Sequence, residues 1–329
     1  MKINTILLLL LLGSSPIAAN AQSLYDNNRQ CVTAIAPDVP ESMYFAGAEI
    51  SFDRIDMFER LDREMISFMY GHTNTLLSIK RANRYFPTIV PILEKNGIPK
   101  DFAYLAVVES FLENRAISPA KAGGIWQLMP ATARQYGLEV NDEIDERFHL
   151  EKATEAACKY FKVAYNKYKC WTTVAASYNA GMGRISSELS KQNADNGFDL
   201  FLNSETSRYM FRLLAIKLIM EHPKDYGFYI AEEQLYFPVD YTVERVSSAV
   251  PSWAEWAESK GITYAQLREM NPWIRSRDLT NKNKKTYNVK IPNKKHLFRS
   301  TQPHKIYNRN WIQVKNCLLY TSPSPRDCS

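Results

Sequence analysis

Between residues 52 and 221 the apolar positions recur at helical spacing, in separate blocks. Phe52, Ile55, Phe58, Leu61, Met65, Phe68 and Met69 form the first stripe. Gly71 interrupts it, and a second stripe over 76–95 ends at Asn96-Gly97, a helix-stop signal. Pro99 opens a third helix, where its missing N–H costs nothing, and Phe102, Leu105, Ala106, Val108 and Glu109 run along it. The chain then loosens through Ser118-Pro119 and Gly123-Gly124, which read as loop. Helical spacing returns over 151–168, 172–180 and 208–221. No stretch from 52 to 221 alternates as a strand would, so an all-α domain is expected over 52–235.

The pattern changes after Pro238. Residues 241–246 alternate like a strand, 253–259 and 264–270 read as two short helices, and 287–291 alternate again. A strand–helix–helix–strand unit of this length predicts a small second domain over 238–293. Basic residues are dense here and in the tail that follows, 294–316: twelve Lys/Arg between Arg268 and Arg309, against Glu269 and Asp278. Such a run suits an anionic partner, although a solvated basic face gives the same composition. It lacks the aromatic interleaving or motif of a nucleic-acid binder, so no nucleic-acid partner is expected.

Neither end of the chain reads as part of the fold. Lys2, the apolar run 6–12 and Ala19-Asn20-Ala21 have the form of a secretory signal over 1–21, too short in its apolar part to span a bilayer. No Cys follows the small residues, so no lipid anchor is expected, and no membrane segment should remain after cleavage. Residues 22–51 are an N-terminal extension. Back-translation of 317–327 can give a string resembling a transposase adapter used in sequencing-library preparation, so 317–329 are read as adapter-derived, with a natural Ser/Pro-rich tail as the rival reading; on either reading the segment is not part of the fold. Cys31, Cys158 and Cys170 remain, an odd number in an oxidising compartment. Cys158 lies within a helical pattern that Cys170 follows, which puts the two too far apart along the axis to bridge.

Four separated stretches carry candidate chemistry. Glu109-Ser110 closes an apolar helix, where desolvation raises a carboxyl group toward the range of a general acid. In residues 123–130 the glycines allow backbone to approach a ligand, and Trp126 and Gln127 offer an aromatic surface and an amide. Ser177-Tyr178-Asn179-Ala180-Gly181 ends another apolar helix with a polar pair, and Tyr209 follows Glu205-Thr206-Ser207-Arg208. Singly, each has an ordinary explanation: a surface Glu, a turn, a capped helix end, a packed tyrosine.

Together they resemble the soluble-transglycosylase family of lysozyme-like (goose-lysozyme-like) lytic transglycosylases. The Glu-Ser pair at Glu109-Ser110, the block Gly124-Ile125-Trp126-Gln127 and the block Ser177-Tyr178-Asn179 fall in the family's order, with Ser177 standing where the family has Ala. Ser118, Leu128-Met129-Pro130, Thr132, Tyr136-Gly137-Leu138, Asp145-Glu146-Arg147 and Ala180-Gly181 look like the membrane-bound type D branch. The resemblance spans roughly 53–221. Residues 267–272 and 289–292 resemble a divergent LysM module, without the usual opening motif before Trp253 and with 281–285 in place of a glycine-containing turn.

The resemblance implies a mainly α protein, a lysozyme-like helical catalytic domain plus a small α+β C-terminal module. It implies an exported, periplasmic or envelope-associated enzyme acting on peptidoglycan glycan strands. Glu109 would serve alone as acid and then base, giving a 1,6-anhydro-muramoyl end, with no cofactor or metal. Ser110, Ser118, Gly124, Trp126, Gln127, Met129, Tyr178, Asn179 and Tyr209 would contact substrate. Ser110 would orient Glu109 or a substrate group, and Gln127 and Asn179 would hold acetamido groups. Two other readings compete: a muramidase using Glu113, one turn after Glu109, as a second carboxylate, and a non-catalytic wall-binding protein.

Overall fold

The structure is a computed structural model that describes residues 35–313. The expected signal segment, Cys31 and residues 317–329 lie outside the described residues. The chain first forms an antiparallel hairpin, β1 (Ser42–Phe45) and β2 (Ala48–Ser51), with Phe45 opposite Ala48. Phe45, Ile50 and Phe52 are buried. Thus part of the expected extension belongs to the core; strands of four residues are too short for their alternation to show.

Two long helices follow, α1 (Ile55–Tyr70) and α2 (His72–Lys95), which meet at Gly71. Next comes α3 (Ala103–Ser110), in which residues 103–108 are all buried. A helix without a polar face has to lie inside its neighbours. The covering helices are the short α4 (Pro130–Gln135), then α5 (Leu150–Tyr168), α6 (Trp171–Ala180), α7 (Met182–Gln192) and α8 (Ser204–Glu221). Of these, α4 and α7 were not expected. In α7 only Ile185 is buried, too narrow a stripe to register as a period. Helix α8 packs along α1, α3 and α6, and its position is set partly by charge. Glu64 of α1, 1% exposed, accepts both Nε (2.8 Å) and Nη2 (3.1 Å) of Arg208. A buried carboxylate is tolerable only with such partners.

The expected basic tail is also not a tail in its described part. Trp311 is 1% exposed, its indole N–H donates to the Met220 carbonyl at 2.6 Å, and its ring packs against Phe86 and Tyr307. Asn83 on α2 holds the same segment, donating to the Lys305 carbonyl and accepting from the Tyr307 N–H. The helical core therefore draws on residues on both sides of the expected 52–235 boundary. Trp311→Ala is expected to lower stability by about 3–5 kcal/mol, the usual cost of emptying a buried tryptophan site. Denaturant unfolding checks this; a loss below about 1 kcal/mol would mean the segment is not part of the folding core.

The second unit has the expected order: β3 (Tyr241–Val246), α9 (Trp253–Ser259), α10 (Tyr264–Met270) and β4 (Tyr287–Pro292). The strands pair antiparallel, with Tyr241 opposite Pro292. Ser252 caps α9, and Thr263 with Gln266 forms a capping box on α10, so both helix starts are written in the chain. Where a glycine turn was missing, Asn281 adopts φ +46° and its amide bonds the Ser247 and Lys285 carbonyls.

Both parts belong to the unit that begins at Pro37, and the small module does not stand apart. Its core of Val246, Trp253, Leu267, Trp273, Ile274 and Val289 is completed by Ile144 and Phe148 from the helical side. Lys285 pairs with Glu139 at 3.1 Å and Lys290 with Glu151 at 2.5 Å. Part of the basic run thus answers acidic groups of the chain itself. Among the described residues no helix is long and apolar enough to cross a membrane. Cys158 and Cys170 are unpaired.

Candidate active site

A cleft of about 590 Å³ opens at the C-terminal end of α3, between the 118–129 loop, the end of α6 and the first turns of α8. Glu109, Ser118, Gln127, Met129, Tyr178, Asn179 and Tyr209 all line it. Residues far apart in the chain therefore converge as the sequence suggested.

Glu109 is the one position in α3 between 103 and 110 that is not buried, facing the cleft from the end of an apolar helix. Its Oε1 accepts the Tyr209 hydroxyl at 2.7 Å. Burial pushes the carboxyl up to about 7; the Tyr209 hydrogen bond and the Arg212 guanidinium pull it down, and Glu205 pushes it up. A carboxyl group in this range is present in both protonation states near neutrality, which suits one residue acting first as acid and then as base. Tyr209 and Tyr178 are themselves held well above the ordinary phenol range by burial and by the charge of Glu109, so both remain hydroxyl donors.

Beyond Ser110 the helix stops abruptly. Phe111 and Leu112 take φ +50° and +57°, two successive left-handed residues without a glycine. Arg81 clamps the turn by donating to the Phe111 carbonyl and to Glu113. Glu113 thereby points to Arg81, does not line the cleft and does not face Glu109 from one helical turn away. The carboxylate that does enter the cleft is Glu205, and a cation, Arg212, enters with it. Neither was read from the sequence as a cleft residue, although their spacing from Tyr209 places them there. They lie four residues before and three after Tyr209, on its face of α8. Tyr160 also lines the cleft, as do Leu128 and Thr132, which the sequence marked as part of the resemblance but not as contact residues.

Three expected contact residues turn inward instead. Ser110 is buried, and its Oγ donates to the Ala106 and Ile125 carbonyls at 3.1 and 2.9 Å, tying α3 to the loop. Trp126 is fully buried, with its indole N–H on Thr154 at 2.9 Å. Its backbone oxygen accepts the Tyr178 hydroxyl at 2.7 Å, so Tyr178 lines the cleft and fastens the loop at once. Gly124, at φ +77°, is pressed against the Arg147 carbonyl, where a Cβ would sit 2.0 Å from the oxygen. Aromaticity and glycine content marked this loop, but its close approach is to protein. Gln127 does face the cleft, at φ +47°, with its Nε2 on the Gly124 (2.8 Å) and Ala116 (3.2 Å) carbonyls.

Removing the Tyr209 hydroxyl should move the site measurably. Tyr209→Phe deletes a hydrogen bond that favours the ionised carboxylate, so Glu109 should titrate higher. The basic limb of the pH–rate profile, where the acid form is lost, should shift upward. The rate at neutral pH should fall about tenfold or more, the usual value of a charge-assisted bond. An unchanged profile would show that the 2.7 Å contact does not govern Glu109.

The chain is similar in sequence to known proteins. The transglycosylase SLT domain family matches residues 89–201, and the soluble lytic transglycosylase C-terminal LysM-like domain family matches residues 242–295. The chain is homologous to membrane-bound lytic murein transglycosylase D of Escherichia coli strain K12, with 29% identity over 259 residues. That alignment covers 75% of this chain and 55% of the relative, so the chain spans about half the length of the curated relatives it matches. Among solved structures, the 70 kDa soluble lytic transglycosylase of Escherichia coli aligns with a TM-score of 0.37 and 22% identity, over 43% of this chain and 24% of that one.

Proposed function

We propose that this chain, through the transglycosylase SLT domain it carries, cleaves the MurNAc-β-1,4-GlcNAc bond of peptidoglycan without water and leaves a 1,6-anhydro-N-acetylmuramoyl end. The observation that carries this reading is the Glu109 carboxyl group, raised to about 7 at the end of a buried helix and bonded to Tyr209.

In the first half of the reaction Glu109 gives its proton to the bridging oxygen as the bond from that oxygen to the muramoyl anomeric carbon breaks. In the second half the muramoyl 6-hydroxyl oxygen bonds to the same carbon, and its proton passes to the Glu109 carboxylate. The acid form is restored and no water enters the balance. Positive charge developing at the anomeric carbon is offset by the Glu109 carboxylate, which a partly water-excluded site makes more effective. Gln127 and Asn179 present amides for acetamido groups, and Tyr178 and Tyr209 form the wall. We place the enzyme in the periplasm after export, acting on the glycan strands of the envelope.

The hydrolytic alternative needs a second carboxylate placed to activate water or attack directly. Glu113 is held away by Arg81, so Glu113→Gln should cleave near the wild-type rate. Glu205 is the group that could serve, and it is the sharper test. Glu205→Gln removes a negative charge that pushes Glu109 up, so the basic limb should move to lower pH while anhydro products persist. Mass spectrometry of digested sacculi decides the matter. Anhydro ends from wild type and Glu205→Gln are expected. Reducing ends, with Glu205→Gln as inactive as Glu109→Gln, would mean a hydrolase, and no release from wild type would mean a binding protein.

A further inference from the structure

Between the C-terminal module and the 118–129 loop lie residues 143–148, which are gripped on both sides. On the module side, the Asp145 N–H donates to the Trp273 carbonyl at 2.9 Å and the Arg275 N–H to the Glu143 carbonyl at 2.8 Å. These bonds bracket an antiparallel bridge between Ile144 and Ile274. Ile144 and Phe148, each 1% exposed, are members of the module's own core, and the Arg275 guanidinium lies 4.7 Å over the Phe148 ring. Burying two large apolar side chains in a neighbouring unit ties the segment to the integrity of that unit.

On the opposite side the same segment holds the loop. Arg147 is 7% exposed and receives a bidentate carboxylate from Asp145, at 2.9 Å to Nε and 2.7 Å to Nη2. Its Nη1 donates to the carbonyls of Lys121 (2.7 Å) and Leu128 (3.0 Å), one at each end of the loop. Its backbone oxygen lies against Gly124. The loop so held carries Gln127, Leu128 and Met129 into the cleft, and offers Ile125 to Ser110 and Trp126 to Tyr178. A planar fork that reads one carboxylate and two carbonyls at once is specific to arginine.

We propose that the C-terminal module is a brace for the catalytic loop, with Arg147 as the positioning residue through which it acts, in addition to any contact the module makes with the wall. A module that served only as an anchor would leave turnover of a short soluble strand untouched. A brace would not, because misplacement of a site by about 1 Å can cost about 10²-fold in rate.

The kinetic arm of the test rests on the reaction proposed above; the exchange arm does not. In the full chain, Arg147→Lys and Ile274→Asp are assayed on soluble, uncrosslinked glycan strands. Both should lose kcat by about 10- to 10²-fold with KM changed less than about threefold. The basic limb of the pH–rate profile should also fall as water reaches Glu109. Hydrogen exchange of wild-type protein in rising urea should show the amides of Gly123, Gly124, Gln127 and Leu128 opening in one step with those of Asp145 and Arg275. If Ile274→Asp does not fold, Arg147→Lys and the wild-type exchange decide. The brace is overturned if Arg147→Lys keeps wild-type kcat and pH profile, or if the module's amides open while the loop amides stay protected. If wild type releases no product at all, the reaction is wrong and exchange alone judges the brace.

Discussion

Glu109→Gln should fold, bind glycan strands and turn them over at least about 10²–10⁴-fold more slowly, the usual contribution of a general acid–base group. The amide keeps the volume and can still accept the Tyr209 hydroxyl, but it has no proton of suitable acidity for the bridging oxygen and cannot take one back. Because the same group serves both halves of the proposed reaction, its loss removes the acid and the base together. The change has a separate signature in stability. The carboxyl titrates near 7 when folded against about 4.5 in a free chain, so the folded state holds its proton more tightly. Wild-type stability should therefore decline as pH rises from 4.5 through 7, by up to about 3 kcal/mol if the whole difference is expressed. Gln carries no such titration. The variant should match wild type in acid and exceed it above pH 7. Turnover near wild type would remove Glu109 from the mechanism, and equal stability at pH 8 would show that burial does not raise it.

How far the sequence carried this site can be judged residue by residue. Helix α3 was legible as an apolar run opened by Pro99, and the strand–helix–helix–strand module because its two strands alternate with period 2 on either side of two short helical segments. The hairpin around Phe45 and the segment ending in Trp311 were not, since each contributes a few large residues to a core built elsewhere and neither is long enough to show a period. Glu109, Gln127, Tyr178, Asn179 and Tyr209, singled out on chemistry and order, all line the cleft. Ser110 and Trp126 were misassigned for a physical reason. Whether a polar or aromatic side chain meets a ligand or a carbonyl depends on partners such as Ile125 or Thr154, and nothing in the local chain announces them. Glu205 and Arg212 were within reach of helical spacing from Tyr209 alone.

Gly124→Ala should damage the protein more than a left-handed glycine ordinarily explains. At φ +77° an alanine bears a strain of about 1–2 kcal/mol. Its Cβ would also stand 2.0 Å from the Arg147 oxygen and 2.8 Å from the carbonyl carbon, distances that only movement of backbone can relieve. Overpacking of that kind typically adds about 1–3 kcal/mol. Neither side can move freely. The Arg147 side chain is bonded to Asp145, Lys121 and Leu128, and the loop is held by Ser110 and Tyr178. The expected loss is therefore about 2–5 kcal/mol in stability, the sum of the two terms. Protein that remains folded at low temperature should turn over at least about tenfold more slowly, because Gln127 and the Ser110–Ile125 tie shift together. Gly97→Ala supplies the comparison: Gly97 has φ +71° but nothing within 4 Å of the added carbon, so it isolates the backbone strain. Thermal unfolding of both variants, with turnover of each below its transition, separates strain from collision. If Gly124→Ala is no less stable and no less active than Gly97→Ala, then the contact between the Gly124 loop and the Arg147 carbonyl does not hold the cleft in shape.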